Sequence, residues 1–167
     1  MHLFSVFSNL QTLTKQDESV EGSVRMVKLL QIRTAGAEVA AVAKTGGNRL
    51  KVIIYDRSGS SLIRRDSYES SGTVGGVDGA AQVNSGQLVV ATRTSSGRAR
   101  VIGFEVNSSG TTLTRRVRSR NSDEASGRQV RIAYVDTDAG PRILTSMVNN
   151  DDKHEVRAWR VSVANQH

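Results

Sequence analysis

Two kinds of side chain in this sequence are grouped tightly enough to do chemistry. Acidic and amide residues cluster at Asp17, Glu18 and Glu21, at Glu69, at Asp123 and Glu124, and at Asn149, Asn150, Asp151 and Asp152 with His154 beside them. Gathered on one surface, such groups hydrogen-bond sugar hydroxyls or hold a cation. Basic residues occur as the pairs Arg64-Arg65 and Arg115-Arg116, with Lys15 in the matching earlier place and Arg118 and Arg120 extending the second pair. A rim of this kind attracts phosphate or sulfated glycans. Each cluster also has a plainer reading. Turns are polar for conformational reasons, and charges on an outer strand block edge-to-edge pairing.

Other chemistries lack their residues. The chain has no Cys, so disulfides, thiolate catalysis and Cys-ligated metals are excluded. Its three His are His2, His154 and His167, and neither a His-Glu-x-x-His nor a Gly-x-Ser-x-Gly motif occurs. Asp136-Thr137-Asp138-Ala139-Gly140 begins like a calcium loop but lacks the third acid and the distal Glu. No catalytic residue, metal site or cofactor is therefore expected. A net charge of +7 permits attraction to polyanions. Aromatic residues make up only 4%, few for stacking on exposed bases, so nucleic acid is not the expected partner. No apolar run approaches the roughly 18 residues of a membrane span. The opening MHLFSVFSNLQTLTKQ lacks the basic and continuous apolar regions of a signal peptide, leaving a cytoplasmic location as the default expectation.

The elements that must position these clusters recur along the chain. The segment Val39 to Arg65 resembles Leu88 to Arg116. Tyr55, Phe104 and Trp159 each follow a Val by three places, and Phe4 and Val6 match Phe104 and Val106. Between the apolar runs lie hairpin turns: Lys44 to Asn48, Arg93 to Gly97 and Asn149 to Lys153. Gly, Asn and Asp tolerate the positive φ such turns demand. A fourth run appears as Leu62 to Arg65 and Leu113 to Arg116, echoed by Leu13 to Lys15. First runs open at Val24, Val74 and Val130. Each unit is thus four short strands in about 50 residues, which reads as all-β.

This pattern resembles β-propeller blades of a divergent bacterial type, marked by Val-x-x-aromatic and a later Arg-Arg. It departs from relatives with a Trp-Asp ending, a kelch Gly-Gly pair or an Asp loop in every blade. The resemblance implies four-stranded antiparallel blades, three per chain. The expected units are a fourth strand in residues 1–16, blades at 24–67 and 74–120, and a three-stranded blade at 130–163. Propellers usually have about 4–8 blades, so a homodimeric six-bladed ring is expected. In it the N-terminal strand of each chain completes the last blade of its partner. The connection between blades is expected on the same face as the second-to-third hairpin. The aromatic set Phe4, Tyr55, Phe104 and Trp159 is expected in the packing between blades, with sugar stacking as the other reading. The function expected is non-catalytic binding of a carbohydrate or another polar ligand on the loop face. A protein-interaction scaffold is the alternative, and a hydrolase or lyase with an axial carboxylate site the third.

Overall fold

A computed structural model of the chain describes residues 2–6, 13–18, 22–34, 36–118, 128–149 and 151–160. They are all-β, with no helix among the described residues. A hairpin of β1 (His2–Val6) and β2 (Leu13–Glu18) comes first. A four-stranded sheet follows, built from β3 (Val24–Thr34), β4 (Ala37–Thr45), β5 (Arg49–Ser58) and β6 (Ser61–Thr73) in that order. The next sheet joins β7 (Gly76–Asn84), β8 (Gln87–Arg93), β9 (Ala99–Val106) and β10 (Leu113–Arg118) in the same succession. The last sheet joins β11 (Arg128–Val135), β12 (Arg142–Val148) and β13 (His154–Arg160). Every pairing is antiparallel.

Register repeats with little change. In β9 and β10 the partners are Val106 with Leu113, Glu105 with Thr114 and Phe104 with Arg115. A bulge follows, then Gly103 pairs with Val117 and Ile102 with Arg118. In β5 and β6 the same places hold Arg57 with Leu62, Asp56 with Ile63 and Tyr55 with Arg64, then Ile54 with Asp66 and Ile53 with Ser67. In β1 and β2 they hold Val6 with Leu13, Ser5 with Thr14 and Phe4 with Lys15, then Leu3 with Asp17 and His2 with Glu18. The residue left over at the bulge is Arg116, Arg65 or Gln16. A bulge adds one residue to one strand and increases the local twist.

The hairpin turns agree as closely. Thr45, Thr94 and Asn149 each accept, at the backbone carbonyl, the N–H of the residue three places on. Each also accepts, at its side-chain oxygen, the N–H four places on, at 3.0–3.1 Å. The left-handed position is filled by Asn48 (φ 60), Gly97 (φ 82) and Asp152 (φ 57). These types reach that region at little cost.

The sheets stack in chain order. Leu50, Val52 and Ile54 of one sheet meet Leu88, Val90 and Phe104 of the next. The opposite face of that second sheet, through Val89 and Val101, meets Ile143, with Ala91, Ala99, Val130 and Met147 continuing the seam. The first strands lie side by side, β3 against β7 and β7 against β11. Gly79 allows this approach, since a Cβ there would stand 2.8 Å from Ile132 Cγ2. Apolar burial of this kind is the main stabilising term. Tyr55 and Phe104 are buried and Trp159 is half-buried, donating Nε1–H to Thr145 Oγ1 at 2.9 Å. Tyr55 and Phe104 thus serve in packing, and Trp159 packs against the seam at Ile143 with one face still accessible. Phe4's side chain lies outside the described residues.

The outer surfaces are unequal. On the back of the β3–β6 sheet, Ile53 and Tyr55 are buried with Leu62 packed against them, whereas Val27 and Leu29 on β3 are half or more exposed. Val156 on β13 is also 56% exposed. No helix of the described residues is long and apolar enough to cross a membrane.

Candidate functional site

The turn ends of the sheets come together at one end of the stack. Gly46 donates its N–H to the Ser23 carbonyl at 2.9 Å, and Val74 donates to Asn48 at 2.6 Å. Lys44 Nζ reaches the Gly75 carbonyl at 2.9 Å. The β6-to-β7 connection therefore runs along the same end as the β4–β5 and β8–β9 hairpins, as expected for the loop face.

An open groove of roughly 480 Å3 lies at this end. It is lined by Gly22, Ser23 and Val24 at the start of β3, by Thr45, Gly46 and Gly47, to which they are paired, and by Arg49, Lys51 and Glu69 on β5 and β6. Arg49 and Lys51 are two apart on β5, so they project to one face of the strand. Glu69 stands opposite Lys51 on β6 and 3.7 Å from Arg49 Nη1. Arg49 and Glu69 are about half exposed, at 51% and 44%. Such an ion pair in water contributes little stability, about 0–1 kcal/mol. Its groups remain available to a ligand. Two cations, one acid and the backbone of a glycine turn suit a ligand that carries both an anionic group and hydroxyls.

The expected acidic surface is only partly assembled. Glu69 enters the groove, but from within a strand rather than from a connection. β6 continues to Thr73 because Tyr68, Glu69 and Thr73 still find partners on β5. Asp17 and Glu18 likewise belong to β2, opposite Leu3 and His2; their side chains lie outside the described residues. Asp123, Glu124 and Asn150 also fall outside them. Asp151 and Asp152 are exposed at the β12–β13 turn, where Asp151 N–H bonds Asn149 Oδ1 at 3.0 Å. That turn belongs to the last sheet, with the β7–β10 sheet between it and the groove.

The basic pairs lie exposed on the outer strands and engage neighbouring side chains. Arg65 bonds Asp56 Oδ2 and Arg116 bonds Glu105 Oε2, each at 2.5 Å, from equivalent places at the two bulges. Arg64 donates to Ser67 Oγ at 2.7 Å. Arg115 donates to Tyr68 Oη at 3.1 Å and lies 5.8 Å from that ring's centre, while Tyr68 meets Phe104 edge-on. Asp66 ties the same seam by accepting Leu113 N–H at 2.8 Å. Arg65, Arg115 and Arg116 thus brace neighbouring strands or sheets, Arg64 bonds within β6, and none of the four lines the groove.

Sequence reasoning passed over Arg49 and Lys51. Their signal was legible: two cations alternating directly after a Gly-Gly-Asn turn. It also passed over Asp78, buried at a bulge in β7 and paired with Arg93 Nε at 2.8 Å. Nothing in the local sequence links those two, because the pair is made by the register of β7 on β8. The Asp136–Gly140 segment closes on itself, with Thr137 and Gly140 exchanging hydrogen bonds. Among the described residues no three His, Asp or Glu side chains converge as metal ligands. Compared with known proteins, the chain matches no family model and no curated protein.

Proposed function

We propose that the chain is a non-catalytic binding module built of β-propeller blades, which holds an acidic carbohydrate on its loop face. The observation that carries this is the groove in which Arg49 and Lys51 lie on one strand face beside Glu69. The cations meet a carboxylate or sulfate, while Glu69 and the turn backbone accept and donate to hydroxyls. Stacked four-stranded sheets with adjacent first strands support the blade reading. The exposed Val27, Leu29 and Val156 support assembly, since each lies on a face whose counterpart inside the chain is covered by a neighbouring sheet. On this reading two copies form a six-bladed homodimeric ring, and two grooves on one rim raise the effective concentration of the second contact for a polymeric ligand.

The test is calorimetric titration with a galacturonate oligosaccharide, with a neutral glucan oligosaccharide of equal length beside it. The acidic ligand binds and the neutral one does not. Arg49→Ala with Lys51→Ala weakens binding at least tenfold and leaves the circular-dichroism spectrum unchanged. Equal affinity of the double variant, or equal binding of both sugars, overturns the reading.

A further inference from the structure

The geometry points to β1 as an internal stand-in: on assembly the partner subunit's β13 takes its place beside β2, and the turn that precedes that β13 closes the groove. This rests on the ring reading above and adds how the ring forms and what completes its site.

Three observations carry it. The first is register. Trp159 sits opposite Ile143 as Phe104 sits opposite Leu88 and Tyr55 opposite Val39. β13 therefore holds the place of β5 and β9, the strands beside which β6 and β10 lie. Among the described residues its one partner strand is β12. β2 holds the place of β6 and β10, and β1 pairs with it in their register, bulge included. Among the described residues β13 has no fourth-place neighbour, and β2 has its third-place neighbour supplied by β1.

Charge is the second. Carried over from β9 and β10, the register sets Arg157 of the partner subunit opposite Glu18 and Ala158 of the partner subunit opposite Asp17. In the hairpin, His2 and Leu3 stand opposite those two acids. Arg157 of the partner subunit, which also bonds Glu155 of the partner subunit, would bring a full cation opposite Glu18, and opposite charges on facing strands attract.

The third is cover. The back of the β3–β6 sheet is dry at Ile53 and Tyr55 on β5 but wet at Val27 and Leu29 on β3. A two-stranded hairpin spans only part of a four-stranded sheet, whereas β11, β12 and β13 of a second copy extend over the first strands. Inside the chain, Asn48 of one hairpin meets Val74 at the start of the next unit. Asp152 is the equivalent of Asn48, and Val24 of Val74. The partner's Asp152 thus arrives at the Ser23–Val24 end of the groove, on the β3 side and away from Arg49 and Lys51 on β5. There the turn meets the sugar's hydroxyls, while Arg49 and Lys51 keep its anionic group.

Since the chain has no Cys, introduced thiols report the pairing without interference. Ser5 faces Thr14 in the β1–β2 hairpin. Oxidised Ser5→Cys with Thr14→Cys locks β1 in place; it is expected to be monomeric, to bind the galacturonate oligosaccharide at least tenfold more weakly, and to regain both properties on reduction. Arg160→Cys with Thr14→Cys is expected to give a covalent dimer on oxidation. A locked variant that stays dimeric, or an Arg160/Thr14 pair that never links chains while the unmodified protein is dimeric, overturns the exchange and leaves the ring standing. An unmodified protein that is monomeric by light scattering at all concentrations overturns both.

Discussion

The β7–β10 and β11–β13 sheets are built alike but live in different surroundings. Along β9 nearly every residue is buried, because sheets cover both faces; along β13 half-buried and exposed residues alternate. Their third strands carry an aromatic at the same place, Phe104 in one and Trp159 in the other. The difference teaches that a strand's own pattern decides with whom it pairs, while the burial of its second face is decided by what stacks on it.

Equivalent substitutions in the two sheets should separate these influences. The largest expected effect is Phe104→Ala, at about 3–5 kcal/mol in urea denaturation. Trp159→Ala should lose less than half as much, and equal losses would mean that the outer face of β11–β13 is covered in solution. Next is Asp78→Ala, which strands Arg93 in a mostly buried site and should cost about 3 kcal/mol. Its counterpart Glu155→Ala breaks the half-buried pair with Arg157 and should cost about 1 kcal/mol, given its greater access to water. Two turn glycines come third. Gly110 has φ +70, and a Cβ there would stand 2.1 Å from the backbone of Gly36, whereas Gly140 has φ +91 with its nearest neighbour at 3.9 Å. Gly110→Ala should destabilise by about 3 kcal/mol and Gly140→Ala by about 1, as thermal shifts read at equal concentration. The smallest is Val156→Lys, within about 0.5 kcal/mol for the single chain. If two copies close the proposed ring, gel filtration should nevertheless show it failing to dimerise, because the charge would stand on the exposed face that the ring covers.

Pairing was legible in the sequence, and stacking partners were not. The match of Tyr55 to Phe104, and of Leu62 to Leu113, announced strands of the same rank, and turn residues such as Asn48 and Asp152 marked the hairpins. Those signals are local and depend on backbone preferences. The groove was half legible: Glu69 stood out as an acid, but its partners Arg49 and Lys51 lie across a strand pair. The basic pairs lie at the surface, as their sequence suggests, but their partners were hidden. Arg65 and Arg116 look like an unpaired surface rim until the register brings Asp56 and Glu105 beside them. Asp78 was invisible for the same reason, its arginine being 15 residues away.

The common bulge at Gln16, Arg65 and Arg116 bears on how the chain reaches its native state. Because all three hairpins share one register, the backbone alone does not tell β6 from β10, or β1 from β9. Wrong but well-paired hairpins are then accessible during collapse, both within a molecule and between molecules. Renaturation should show a slow phase whose amplitude grows with protein concentration, as swapped pairings form and must be undone. The seam of Asp66, Tyr68 and Arg115 is what selects the right neighbour, so weakening it should enlarge that phase before it lowers the final stability.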